Sequence, residues 1–321
     1  MPKNYTDITL ENHIGGSEVA AIDSETVVVS SWLGNLSVVD LKSMQIVKQN
    51  FVGSDYGCCT LRSLQTPLAF ANEDESPIDP SCAVATQGGY GVFWDLKQPE
   101  AKKFYPDSDG SVSCVAYIPT KDLIALGIGS YPLSDERKYA YLELWSIESE
   151  QFLLKVALPG TCVDAISFSP DGSEIICTTG LRNQQQGFVI RIETETLRLL
   201  QIIEIPYARC QQVQFDNRYG CENYIYWSST EVFVAFELEG KRQLWSLEKP
   251  DTKFSLHFDA DEHEDKLFLS DGQLADSSDG AVIKKLKSLD SCCAVTVLPN
   301  NKGYVGISRS GVLRHWKSII S

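Results

Sequence analysis

The side chains best suited to chemistry occur in a short acidic segment, Asp259 to Asp265 (DADEHED), which combines five carboxylates with one histidine. Calcium-binding loops place oxygen ligands at fixed steps around a glycine that makes a sharp turn. This segment has no central glycine, and no glutamate follows at the offset that bidentate ligation requires. The pattern therefore indicates a solvated acidic turn, and we expect neither a bound metal nor another cofactor.

Motifs that organise catalysis are missing from the sequence. The four histidines, His13, His257, His263 and His315, belong to no HExxH motif, and the chain has no GxSxG elbow and no Gly-Lys-Ser/Thr phosphate loop. The glycine-rich segment QGGYG at 87–91 follows an apolar strand, but no helical pattern comes after it that would aim amides at a phosphate. We predict no catalytic residues, while a site assembled from distant residues stays open.

The charge and composition limit the classes of partner. The chain has 321 residues, 43 acidic against 28 basic side chains and a net charge of −15. Binding to phosphate backbones needs a surplus of Lys and Arg, so nucleic acid is not expected as the ligand. Neither an N-terminal signal segment nor an apolar run of membrane-spanning length occurs. We expect a cytoplasmic protein that does not bind a membrane, with the nucleus left open.

A repeat of alternating apolar residues followed by a tight turn extends through the chain. It is clearest in SCVAYIP at 113–119 and AISFSPDG at 165–172, each of which precedes a second apolar run. An inward apolar residue of each repeat gives seven anchors, spaced by 39 to 54 residues. The anchors are Ile22, Leu61, Val115, Ile166, Val213, Leu256 and Val295. This spacing is typical of four short strands with their turns.

A second marker ends the third strand of each repeat. It comprises Trp94-Asp95 in YGVFWDLKQ, together with Trp145, Trp316, Asp40 and, more weakly, Ile192. These residues and the repeat resemble the WD40-repeat family over nearly the whole chain, although the Gly-His that usually opens such a repeat is absent. The resemblance implies an all-β fold, a single β-propeller over residues 1–321 with four-stranded blades.

The number of blades depends on the fifth and sixth repeats. In the fifth repeat, Trp245 lies only 11 residues before the next anchor, so QLWSLE is best assigned to the fourth strand and EVFVAFEL to the third. We therefore favour seven blades, with six as the alternative. The last repeat has only three strands, and residues 1–14, with the strand Tyr5 to Leu10, are expected to complete it. Such closure removes exposed sheet edges.

The cysteines and the loops offer two candidate sites on this fold. Seven of the ten cysteines lie one to four residues before an anchor. This position is explained either by packing of small apolar residues or by a thiol ring that binds a soft metal, and we favour packing.

Insertions occur at 72–81, 130–139 and 181–187. Turns and insertions between second and third strands share one rim of a propeller. On that rim, the candidate partner-binding residues belong to types that are typical of protein interfaces. They are Trp32, Tyr90, Tyr131, Arg182 and Arg309.

Three functions are compatible with this sequence. The first is a non-catalytic scaffold or adaptor subunit that binds one or more proteins in a multiprotein complex, a step that depends on the family resemblance. The second is an acidic protein that neutralises a basic toxin or enzyme, which the net charge of −15 suggests. The third is an enzyme with a site at the mouth of the propeller channel.

Overall fold

The structure is a computed structural model that describes seventeen stretches of the chain. They are residues 5–11, 18–53, 64–65, 82–87, 89–118, 121–129, 139–169, 171–181, 186–206, 210–216, 224–229, 232–248, 258–261, 265–287, 289, 292–299 and 302–317. Every regular element in these stretches that is longer than a single turn is a β-strand.

Twenty-eight strands form seven antiparallel sheets of four. After β1 (Tyr5–Thr9), blade one comprises β2 (Val19–Ala21), β3 (Thr26–Ser30), β4 (Asn35–Asp40) and β5 (Gln45–Phe51), and blade two β6 (Leu64–Gln65), β7 (Cys82–Gln87), β8 (Tyr90–Asp95) and β9 (Lys102–Phe104). Blade three comprises β10 (Ser111–Ile118), β11 (Leu123–Gly129), β12 (Tyr139–Ser146) and β13 (Phe152–Pro159), and blade four β14 (Cys162–Phe168), β15 (Glu174–Leu181), β16 (Gln186–Glu193) and β17 (Leu199–Ile205).

The remaining blades follow the same plan. Blade five comprises β18 (Cys210–Phe215), β19 (Tyr224–Ser229), β20 (Val232–Glu237) and β21 (Arg242–Glu248), and blade six β22 (Phe258–Asp261), β23 (Lys266–Leu269), β24 (Gln273–Asp276) and β25 (Val282–Lys285). Blade seven comprises β26 (Cys292–Leu298), β27 (Gly303–Ser308), β28 (Val312–Lys317) and, as its fourth strand, β1. The prediction of a seven-bladed β-propeller is confirmed, and the six-bladed alternative is wrong.

The assignment of the ambiguous fifth blade is also confirmed. β19, β20 and β21 contain YIYWSS, VFVAFE and RQLWSLE as the second, third and fourth strands. In blade six, the segment FSLHF was expected to form the first strand. β22 is described from Phe258, the last residue of that segment, and residues 251–257 lie outside the described stretches.

The regular spacing of the repeat has a structural cause in the first strands. β10, β14, β18 and β26 each contain a β-bulge, at which the pairing register with the second strand shifts by one residue. The bulged residues are Ser113, Asp164, Gln211 and Cys293. The anchors Val115, Ile166, Val213 and Val295 each follow a bulge by two residues, so the sequence repeat marks a recurring backbone feature.

The core is divided among the joints between blades. The described residues form seven apolar clusters, and each combines buried side chains from two neighbouring blades. The cluster between blades three and four, for example, packs Leu142 and Leu144 against Val163, Ile190 and Ile192. Because each sheet buries both faces in this way, its second and third strands are almost continuously apolar.

Hydrogen bonds between neighbouring blades reinforce these joints. Gln212 of blade five donates to the carbonyl of Phe258 in blade six (2.7 Å) and accepts from its amide (3.1 Å). Asp259 accepts from the Thr296 hydroxyl (2.9 Å) and the Val297 amide (2.8 Å) of blade seven. Within the segment that the sequence assigned to a solvated acidic turn, Asp259 therefore has a structural role.

Blade seven is closed by strands from both ends of the chain. β1 pairs antiparallel with β28, with Asp7 opposite Arg314 and Tyr5 opposite Trp316. The Arg314 guanidinium donates two hydrogen bonds to the Asp7 carboxylate (2.6 and 2.8 Å) and lies 4.1 Å from the centre of the Tyr5 ring. Leu10, which is 1% exposed, packs into the cluster between blades seven and one. The predicted closure by the N-terminal segment is confirmed.

Candidate protein-interaction surface

One end of the ring, which we call the upper end, holds both the turns between second and third strands and the connections between blades. The two kinds of connection meet there: Gly89, in the turn of blade two, accepts a hydrogen bond from Val112 at the start of blade three (3.2 Å). The turns between first and second and between third and fourth strands lie at the opposite, lower end. Trp32, Tyr90 and Arg309 all belong to upper-end turns, as predicted from the sequence.

The turns of blades one and seven have the same backbone design. In Ser31-Trp32-Leu33-Gly34, the Gly34 amide donates to the Ser31 carbonyl (3.1 Å), and the Ser31 hydroxyl accepts from the amide of Asn35 (3.2 Å). Ser308-Arg309-Ser310-Gly311 repeats this pattern, at 3.0 Å for both bonds. Gly34 (φ 83°) and Gly311 (φ 77°) adopt the left-handed conformation that such turns require at their last position.

These matched turns bring two of the predicted residues together. The Arg309 guanidinium lies 5.5 Å from the centre of the Trp32 ring, across the joint between blades seven and one. Trp32 remains 41% exposed. A guanidinium over an indole face is a favourable cation–π contact that limits the motion of both side chains, so the indole is held in place for a partner.

Tyr90 has a different role from the one predicted. Its ring is only 3% exposed, and its hydroxyl donates to the carbonyls of Val52 (2.9 Å) and Gly53 (3.1 Å) in blade one. The ring is buried because β8 alternates inward at this position and joins the cluster between blades one and two. The prediction that Tyr90 is an exposed anchor is wrong, and the residue fastens two blades together.

The remaining predicted positions are only partly described. Tyr131 and Arg182 lie outside the described residues, as do most of the insertions at 72–81, 130–139 and 181–187. The ends of two insertions are described: β11 ends at Gly129 and β12 begins at Tyr139, while β15 ends at Leu181 and β16 begins at Gln186. Both insertions therefore leave from the upper end, beside the turns described above.

Other exposed apolar side chains at the upper end were missed in the sequence. They occupy blades one, two and three, and we call them, with Trp32, the upper apolar sector: Trp32 (41% exposed), Leu33 (60%), Phe51 (67%), Tyr105 (56%) and Tyr139 (57%). Tyr105 packs on Tyr90 at 5.1 Å between ring centres, and Tyr90 in turn holds the segment that follows Phe51. The sector is thus supported by a buried tyrosine.

The cysteines form a buried set rather than a reactive one. Cys82, Cys114, Cys162, Cys177, Cys210 and Cys292 are buried and Cys293 is half-buried; all seven are free thiols. Burial raises the pKa of Cys114 and of Cys210 well above the ordinary thiol value. Since the thiolate is the reactive form, these thiols should be inert.

We expect a thiol reagent at pH 8 to label native protein in two distinct phases. The six buried cysteines should react only as the protein opens, so the rapid phase should contain at most the other four of the ten thiols. Ellman's reagent, followed with and without denaturant, measures both phases. Rapid labelling of more than four thiols in native protein would contradict this expectation and reopen the hypothesis of a thiol ring.

Scanning the sequence against protein-family models finds no matching family, and a search of curated proteins finds no match either. The structure defines the class of the protein, a seven-bladed β-propeller.

Within the described residues, no three His, Cys, Asp or Glu side chains are grouped so that they could hold a metal ion. The same residues include no helix with the length and apolar character needed to cross a membrane.

Proposed function

We propose that the protein is a non-catalytic interaction platform, a scaffold or adaptor subunit that binds other proteins through its upper apolar sector. The observation that carries this proposal is the exposure of Trp32, Leu33, Phe51, Tyr105 and Tyr139 on three successive blades at one end of the ring. Tryptophan, tyrosine and phenylalanine are enriched at protein interfaces, and contiguous exposed apolar surface typically marks a binding site.

The rigidity of the surface supports this function. Trp32 is held by Arg309, and Tyr105 by Tyr90, whose hydroxyl is fixed on blade one. When a partner docks here, these side chains of the propeller lose little additional freedom, which lowers the entropic cost of binding. Aromatic side chains of this kind, once a partner buries them, contribute most of the binding free energy in many complexes.

We also propose that the protein is a divergent member of the WD40-repeat family, localised in the cytoplasm. In the structure, the residue after the last apolar position of the third strand is acidic in five blades: Asp40, Asp95, Glu193, Glu237 and Asp276. Asp40 and Asp95 accept hydrogen bonds from backbone amides of the turn that follows, from Lys42 (3.1 Å) and Lys97 (2.9 Å). This is the position of the Asp in the Trp-Asp pair that the sequence shows at Trp94-Asp95.

Replacing Trp32 and Phe51 together (Trp32→Ala, Phe51→Ser) should abolish partner capture without affecting the fold. Affinity should fall by about 30-fold or more, since truncation of an interface hot spot costs about 2 kcal/mol or more. The measurement is affinity capture from native lysate at low and moderate salt, with wild type, the double variant and Val282→Ser compared by quantitative mass spectrometry. Val282 is 49% exposed on the outer strand of blade six and serves as the control.

Three outcomes separate the candidate functions. A set of partners that survives moderate salt and is lost only with the double variant supports the platform. A single basic partner that is lost as salt rises, whatever the state of Trp32, favours the neutralising protein instead. If wild type and the double variant capture the same proteins in equal amounts, the upper apolar sector is not the binding surface.

A further inference from the structure

The outer strands of five blades share a β-bulge near their beginning. In β13, for example, Trp145 pairs with Phe152 and Leu144 with Leu154, which leaves Leu153 without a partner. The residues in this position are Val47, Leu153, Leu200, Leu244 and Ile283. All five are aliphatic, and all are exposed. A bulge protects an edge strand from pairing with other chains, but it does not require an aliphatic side chain there.

Blades three, four and five combine this bulge with further exposed aliphatic residues. We call the set the leucine edge: Leu153, Leu154, Leu199, Leu200, Ile202 and Leu244. Their exposed fractions lie between 37% and 45%, on the outer strands of three consecutive blades. Native edge strands usually carry charged residues at such positions, so repeated leucines there indicate a surface that is covered by something else.

An acidic turn precedes each strand of the leucine edge. The turns contain Glu148 and Glu150, Glu193 and Glu195, and Glu237 and Glu239, in the same Glu-x-Glu pattern. One carboxylate of each pair is held closely by a basic side chain: Glu150 by Lys102 (3.0 Å), Glu193 by Arg198 (2.9 Å) and Glu237 by Arg242. Glu195 has a looser ion pair with Lys121 (3.9 Å) and remains 81% exposed. The other residue of each pair, Glu148, Glu195 or Glu239, is exposed. Apolar and acidic surface therefore alternate at the lower end of these blades.

The charges select among possible occupants of the leucine edge. A second copy of this chain, with a net charge of −15, would bring the same acidic turns against each other, which is unfavourable. A segment that combines apolar with basic side chains would cover the leucines and pair with the exposed carboxylates. Such charge complementarity also accelerates association.

We propose that the leucine edge is a second docking surface, specific for an extended partner segment in which Lys or Arg side chains are interspersed with large apolar ones. It lies at the lower end of the ring, away from the upper apolar sector. The two surfaces could thus be occupied at the same time, and this inference does not depend on the proposed function of the upper end.

A peptide-display selection tests the chemistry directly. A random peptide library is selected on full-length wild-type protein and counter-selected on the variant Leu153→Ser, Leu200→Ser, Leu244→Ser. We expect the enriched peptides to combine Lys or Arg with Leu, Ile or Phe. Their affinity for the triple leucine variant, measured by fluorescence anisotropy, should be at least tenfold weaker, with an unchanged melting temperature. The variant Glu148→Gln, Glu195→Gln, Glu239→Gln should bind more weakly at low salt and show a flatter salt dependence.

Matched controls confine the effect to this edge. Val47→Ser and Ile283→Ser alter the same bulge position on blades one and six and should leave peptide affinity unchanged, as should Trp32→Ala. The proposal is overturned if no peptides are enriched, if the enriched peptides are acidic or purely apolar, or if they bind the triple leucine variant equally well. It is also overturned if the leucine substitutions change only self-association in sedimentation, because the bulges and acidic turns would then serve only to keep edges apart.

Discussion

Deleting the first ten residues should prevent stable folding or lower the melting temperature by about 10 °C or more. The deletion removes the fourth strand of blade seven, takes buried Leu10 out of the closing cluster and leaves Arg314, which is 8% exposed, without the Asp7 carboxylate. The loss of this strand also uncovers apolar side chains of that cluster, which is a large penalty against a total stability of about 5–15 kcal/mol. Differential scanning calorimetry of the deletion protein measures the effect, and a melting temperature equal to wild type would refute it.

Point variants separate the ion pair from the rest of the strand. Asp7→Ala should destabilise the protein by about 1 kcal/mol, since it removes the two hydrogen bonds that the partly exposed Asp7 carboxylate accepts from Arg314. Adding Arg314→Met to that variant should recover part of the loss, because the methionine keeps the apolar stem and removes the charge. Glu11→Gln, at an exposed position next to the strand, is the control and should melt with wild type. A double variant less stable than Asp7→Ala would contradict this account.

Removal of the Glu143 carboxylate should also be severely destabilising. Glu143 lies in β12 with no exposed surface and accepts three hydrogen bonds: from the amides of Asp107 (2.9 Å) and Ser108 (2.7 Å) and from the Trp145 indole (3.1 Å). It thereby holds the connection between blades two and three against the third strand. Glu143→Ala would remove the acceptor of three partly buried hydrogen bonds, and we expect a loss of about 3 kcal/mol, measured by chemical denaturation.

Two variants test whether the loss comes from these hydrogen bonds. Glu143→Gln keeps the size of the side chain and one carbonyl oxygen, so its stability should fall between those of wild type and Glu143→Ala. Glu204→Ala removes an exposed carboxylate from the outer strand of blade four and should change stability by less than about 0.5 kcal/mol. If Glu143→Ala and Glu204→Ala unfold at the same denaturant concentration, Glu143 does not hold the connection.

The sequence predicts the fold well because the repeat reflects backbone geometry. Anchors such as Val115 and Ile166 recur after the bulges at Ser113 and Asp164, so their spacing survives even where side chains diverge. The third-strand markers were recognised at Trp94-Asp95 and Asp40. Glu237 and Asp276 occupy the same position and were overlooked, because they lie in the fifth and sixth repeats, where the order of the strands was ambiguous.

Side-chain exposure was harder to predict, since it depends on contacts between blades. Tyr90 and Trp32 both belong to upper-end turns, yet Tyr90 points into the joint with blade one while Trp32 remains accessible. Glu143 alternates with leucines in its strand and would be assigned to a solvated face from its pattern alone. It is buried because residues 107 and 108, in a connection more than 30 positions away, fold over it. Such contacts leave no periodic trace in the sequence.

The shared sheet of blade seven has a consequence for synthesis in the cell. Tyr5–Thr9 is translated some 300 residues before Val312–Lys317, the strand with which it pairs. At roughly 5–20 residues per second, the interval is about 15 to 60 seconds. Throughout that time the N-terminal strand has no partner, and the other six sheets can form around a ring that is still open. The propeller can therefore close only after Val312–Lys317 has been translated and can pair with Tyr5–Thr9.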